Sequence, residues 1–173
     1  MKRMFVGICL LLMACDDGTV ISHVDKAASI ELSDLVAMQV GGGIRTEIHG
    51  TPFERTTSDD LTRFLRPPSG ASQATKWRDV PVGSVDHGYR MVLHFNPSGP
   101  PNAFEDCRRK RPAITLPPMD VGFTVNMTFC KGEEWEAHGF LKATKTEARD
   151  FQDYTRVMRA LMNNIFTSAG NDR

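Results

Sequence analysis

The stretch VGFTVNMTFC, residues 121–130, places Val121, Phe123, Val125, Met127 and Phe129 on one side of an extended chain. Gly122, Thr124, Asn126 and Thr128 fall on the other. That strict period of two is the pattern of an antiparallel strand with one covered face. Cys130-Lys131-Gly132-Glu133 then turns the chain. The segment from Glu134 to Ala143 returns with Trp135, Ala137, Gly139 and Leu141 on one face, which completes a hairpin. Upstream, Tyr89, Met91, Leu93 and Phe95 alternate with Arg90, Val92 and His94 and read as a further strand.

Around these strands the helical signals are fewer. Thr144-x-x-Glu147 has the form of a capping box. It precedes Phe151, Tyr154, Met158, Leu161 and Ile165, an apolar stripe of about four turns. Ser58, as cap, with Asp59 and Asp60 opens a shorter helix with Leu61, Phe64 and Leu65 on its apolar side, and Pro67-Pro68 stops it. Leu35–Val40 and Ile44–His49 read as extended pieces around a triple-glycine turn at 41–43. The fold expected is α+β: an antiparallel β-sheet with a long C-terminal helix and a shorter helix packed on one face.

The chain has 173 residues, 40% apolar and 24% charged, which suits one globular domain. Lys+Arg and Asp+Glu both number 21, so no polyanion partner such as nucleic acid is implied. Met1-Lys2-Arg3 followed by the apolar run from Met4 to Ala14 has the layout of a secretory signal and is too short to span a bilayer.

Leu12-Met13-Ala14-Cys15 resembles the lipobox of bacterial lipoproteins, with Met13 its one departure from the preferred pattern. The resemblance implies that residues 1–14 are a signal peptide removed on export. It further implies a diacylglyceryl thioether on Cys15, with acylation, as by palmitate, of the new amino group. Two or more acyl chains anchor stably where one does so only marginally. The rival is an ordinary secretory signal with a cysteine at its cleavage site. Asp16 and Asp17 resemble the inner-membrane retention signal of enterobacterial lipoproteins but also serve plain solubility, so inner and outer membrane both stay open. Residues 15–32 then read as the lipidated cysteine and a flexible tether, and residues 33–173 as the domain, facing the periplasm. Loss of Lys2 and Arg3 leaves 19 basic against 21 acidic residues.

With Cys9 in the discarded peptide, Cys107 and Cys130 remain in an oxidising compartment, where pairing is the economical reading. The bridge would close about 24 residues and contribute about 3.4 kcal/mol by chain entropy. Six of the ten prolines lie between Asn96 and Pro118, which rules out a central strand there and leaves a loop tied across the outer side of the sheet. Arg108, Arg109, Lys110 and Arg111 on that loop are a candidate contact for an acidic partner or anionic lipid.

Other constellations are weaker. His23, His49, His87, His94 and His138 lack the spacing of a metal site, and His94 and His138 read as solvated or hydrogen-bonded on the outer face. Ser84, Asp86 and His87 hold the residue types of a hydrolytic triad, but adjacent in sequence and without a nucleophile elbow. Glu133, Glu134 and Glu136 belong to a hairpin tip, where carboxylates are usually solvated. The sequence therefore leads to a lipid-anchored envelope protein that is a non-catalytic binding domain for another envelope component, with no cofactor or metal. A periplasmic hydrolase and an inert assembly subunit are the alternatives.

Overall fold

The computed structural model describes residues 18–27, 30–39, 41–84, 88–147 and 150–167. The lipobox, Asp86 and His87 lie outside them. Six strands form one sheet in the order β1-β6-β5-β4-β2-β3. They are β1 (Thr19–Lys26), β2 (Ile44–His49), β3 (Trp77–Val80), β4 (Tyr89–Phe95), β5 (Val121–Lys131) and β6 (Glu134–Glu147). The helices described are α1 (Asp34–Met38), α2 (Ser58–Phe64), α3 (Ala103–Arg108) and α4 (Phe151–Thr167).

The expected hairpin is β5 and β6, paired antiparallel from Val121 opposite Glu147 to Lys131 opposite Glu134. The sheet is nevertheless mixed rather than antiparallel throughout. β2 runs parallel to both β3 and β4. The physical reason lies in the connection: α2 carries the chain from β2 back to the starting end before β3 begins, the crossover that parallel neighbours require.

One face of the sheet holds the core. Met91, Leu93, Phe95, Phe123, Val125, Met127 and Phe129 meet Tyr154, Val157, Met158, Leu161 and Ile165 of α4. Gly139 permits the close approach, since a Cβ there would stand 2.8 Å from Leu161 Cδ1. α2 packs on the same side: Leu61 is fully buried, Phe64 stacks on Phe151 at 4.2 Å, and the Tyr154 hydroxyl donates to the Leu61 carbonyl at 3.4 Å. Burial pushes the Tyr154 phenol well above the ordinary tyrosine range.

Five local readings change. Thr19–Lys26, within the expected tether, is edge strand β1 on β6. A register shift between Ser22 and Asp25 breaks its alternation, so Ile21 and Val24, three apart, both pack against the core. Leu35 and Met38 are buried at a helical spacing, in α1 and not in a strand. Thr57, not Ser58, caps α2, through a reciprocal box with Asp60. The Thr57 hydroxyl and amide hold the Asp60 carboxyl below its usual range. Thr144 to Glu147 continues β6, and the Asp150 carboxylate accepts from the amides of Gln152 and Asp153 to start α4. Finally, a register shift between Phe129 and Cys130 turns Trp135 to the face opposite Ala137, where it packs beside Cys107, Cys130 and Val92.

Candidate functional site

The outer face of the sheet is roofed by the proline-rich segment. At the end of β4, Asn96 (φ 45°) turns the chain out of the sheet. The Asn96 side chain donates to the Thr51 carbonyl at 3.2 Å and accepts from the Thr124 amide at 3.0 Å. The segment crosses the face, forms α3 with Asn102 as its cap, and returns so that Thr115 bridges to Pro97. Cys107 in α3 is bonded to Cys130 of β5, with their Cα atoms 5.5 Å apart.

Beneath the roof the polar residues of the strands are buried, and they pair in two sets. In the first, the Glu47 carboxylate accepts from Arg90 Nε at 3.2 Å, from His49 Nε2 at 2.9 Å and from the Gly83 amide at 3.1 Å. The Ala113 amide donates to His49 Nδ1 at 3.0 Å, which places the ring proton on Nε2. Arg90, fully buried, also donates to the carbonyls of Gly132 and Cys107. Its charge thus meets the Glu47 carboxylate and backbone acceptors, as a buried guanidinium requires.

In the second set, Asp106 from α3 accepts from the Asn126 side-chain amide and from the Thr128 hydroxyl, the latter at 3.3 Å. Asn126 in turn accepts from His138 Nε2. His94 Nδ1 lies 3.4 Å from the other Asp106 oxygen. Both sets tie roof to sheet: Asp106, Cys107 and Ala113 belong to the roof and their partners to β2, β4 and β5, with His138 of β6 joined through Asn126.

The expected surface positions of His94 and His138 are therefore corrected. Both are hydrogen-bonded but buried, because the roof covers the face that alternation assigned to solvent. Asp106 and Cys107 make contacts that individual strands could not reveal, since they come from a segment with no period of its own.

The other sequence candidates are dispersed. Ser84 Oγ donates to the Pro81 carbonyl. Glu133 and Glu134 are exposed and Glu136 is half-buried, around an open depression of about 560 Å³ at the hairpin. A cavity of about 230 Å³ between His94, Pro97, Ser98 and Arg109 brings a hydroxyl near the His94–Asp106 pair. Ser98 Oγ, however, donates to the Ile114 carbonyl at 3.1 Å, so its proton is directed away from the imidazole. Among the described residues no group of three or more His, Cys, Asp or Glu side chains is arranged to hold a metal ion.

The basic segment lies on top of the roof. Arg108, Lys110 and Arg111 are exposed and Arg109 is half-buried. The Arg108 guanidinium sits 3.7 Å from the centre of the exposed Phe104 ring and reaches the Glu133 carbonyl at 3.5 Å. The turn that follows β3 is close: at Gly83 (φ 79°) a Cβ would stand 2.8 Å from the Lys110 carbonyl oxygen. A basic and aromatic surface is thus mounted on a segment fixed from below by a cystine and two sets of buried hydrogen bonds. Comparison of the chain with family models, with curated proteins and with solved structures gave no match.

Proposed function

We propose that this chain is a bacterial envelope protein, anchored through lipid on Cys15, whose periplasm-facing domain is a non-catalytic interaction module. Its contact surface is the roof, centred on Phe104, Arg108, Arg109, Lys110 and Arg111, and its partner is the acidic surface of another envelope protein. The observation that carries the reading is the anchoring of the roof. Buried polar groups meet one another and the roof backbone, while charge and an aromatic ring are presented outward on a rigid support. A contact surface whose side chains are already held loses less entropy on association.

Two measurements test the two halves. Cys15→Ser should leave an unprocessed precursor that incorporates no labelled palmitate, and equal labelling of mutant and parent would remove the anchor from the account. For the contact surface, a photo-reactive residue at Phe104 should form a discrete crosslinked species in intact cells. Reversal of Arg108, Lys110 and Arg111 to glutamate should weaken that crosslink at least tenfold at unchanged protein level. An undiminished crosslink in the reversed variant would exclude the basic segment as the recognition element.

A further inference from the structure

Resting on the lipid-anchor reading above, we infer that one end of the sheet is a membrane-docking surface. Val20, Leu116, Met119 and Val121 there meet the bilayer interface, with Lys142 and Lys145 at the headgroups.

The first argument is the length of chain available. Gly18 is already fixed to the domain, its carbonyl accepting from the amide and the hydroxyl of Thr144, each at 2.8 Å. Only Asp16 and Asp17 separate it from Cys15. Three residue steps span at most about 11 Å in any conformation. A domain whose lipid attachment is that near cannot stand off from the bilayer, and the end of the sheet that carries Gly18 must lie against it.

The second argument is what that end displays. Val20 lies opposite Lys142, and Lys142 opposite Thr124, whose amide is held by Asn96. This row crosses the outer face next to Gly18. Leu116 and Met119 from the returning roof lie over it and, with Lys142, line an apolar depression of about 460 Å³. Val20 is 58% exposed, Leu116 56%, Met119 49% and Val121 51%. Among the described residues the other exposed large apolar side chains are Val36, Phe104 and Ile114. The concentration thus falls where the chain approaches its anchor. Lys142 and Lys145 are exposed at the same end, where anionic headgroups would meet them, with Asp120 exposed beside Val121 and Asp16 and Asp17 next to Gly18 in the sequence. Apolar side chains rimmed by lysine suit the headgroup and acyl boundary. The geometry also orients the basic surface. β5 runs from Val121 at this end to Lys131, two residues before Glu133, whose carbonyl meets the Arg108 side chain, and eleven residues of strand cover about 35 Å. The roof's charged tip is held well away from the lipid and toward other envelope proteins.

The test uses the full lipidated protein in nanodiscs of phosphatidylethanolamine and phosphatidylglycerol, with or without dibrominated phosphatidylcholine. Tryptophan is introduced at the docking end as Met119→Trp and, separately, Leu116→Trp, and at the far end as Glu133→Trp. The emission of Trp77 and Trp135 in the parent is subtracted. The brominated lipid should quench the added emission at 116 and 119 at least twofold and leave that at 133 within a tenth of its unbrominated value. Acyl content of the same samples is read by mass. Acylated protein in which 116 and 119 are no more quenched than 133 overturns the docking surface and leaves the anchor standing. Protein without acyl chains overturns both.

Discussion

Replacing Glu47 by alanine should lower the free energy of unfolding by about 3–5 kcal/mol, the range for removing one partner of a buried ion pair. Glu47 and Arg90 are both fully buried, and the carboxylate lies 3.2 Å from Arg90 Nε. Truncation takes this buried counter-charge from the guanidinium and the acceptor from His49 Nε2 and the Gly83 amide as well. The double variant Glu47→Leu/Arg90→Met should recover much of the loss, because it removes both charges together with their desolvation cost. Denaturant titration of the single and double variants measures the difference. If Glu47→Ala unfolded within 1 kcal/mol of the parent, the pair would be solvated and the roof would not close over it.

The core face was legible because β4, and β5 from Phe123 to Phe129, keep an uninterrupted period of two and α4 an uninterrupted stripe. Phe123 to Phe129 and Tyr154 to Ile165 name most of the residues that meet. The outer face was half legible. Alternation correctly puts Arg90, His94, Asn126 and Thr128 opposite the core, and the Cys107–Cys130 bridge says that a loop crosses them. Taken together those two facts already imply that these side chains are covered, yet polar identity favours a solvent reading. What decides the matter is Asp106, one residue from the half-cystine. It is a buried carboxylate whose acceptor capacity matches the donors of Asn126 and Thr128. Irregularities account for the rest. The shifts after Ser22 and after Phe129 each break the period by one residue. The first hid a whole strand and the second assigned Trp135 to the wrong side. The parallel pairing of β2 with β4 depends on strand order, which no local pattern encodes. The proposed lipid anchor is the opposite case: it rests wholly on local sequence, and the lipobox lies outside the described residues.

Removing the cystine by Cys107→Ser/Cys130→Ser should cost about 2–4 kcal/mol, near the chain-entropy value for a loop of this length. The bridge acts mainly on the unfolded chain, by closing the segment that runs from the end of α3 through the basic run and β5 to Cys130. In the folded protein the roof has other ties: Asp106 to Asn126 and Thr128, Arg90 to the Cys107 carbonyl, and Ala113 to His49. The reduced protein should therefore keep its fold while the roof opens more often. Trypsin measures that opening, since the target bonds after Arg108, Arg109 and Lys110 lie in the stapled segment and cleavage needs it extended. Cleavage there should accelerate at least tenfold on reduction, and cleavage after Arg63 in α2, on the opposite face, should change far less. The two sites separate local from global loosening: equal acceleration at both would mean that the bridge only stabilises the whole domain. Free reactivity of both cysteines in folded, air-oxidised protein would mean that no bridge exists. The contact surface depends on the first outcome, because a basic segment released from its cystine would carry the same charge without the fixed geometry that lets a partner meet it at low entropic cost.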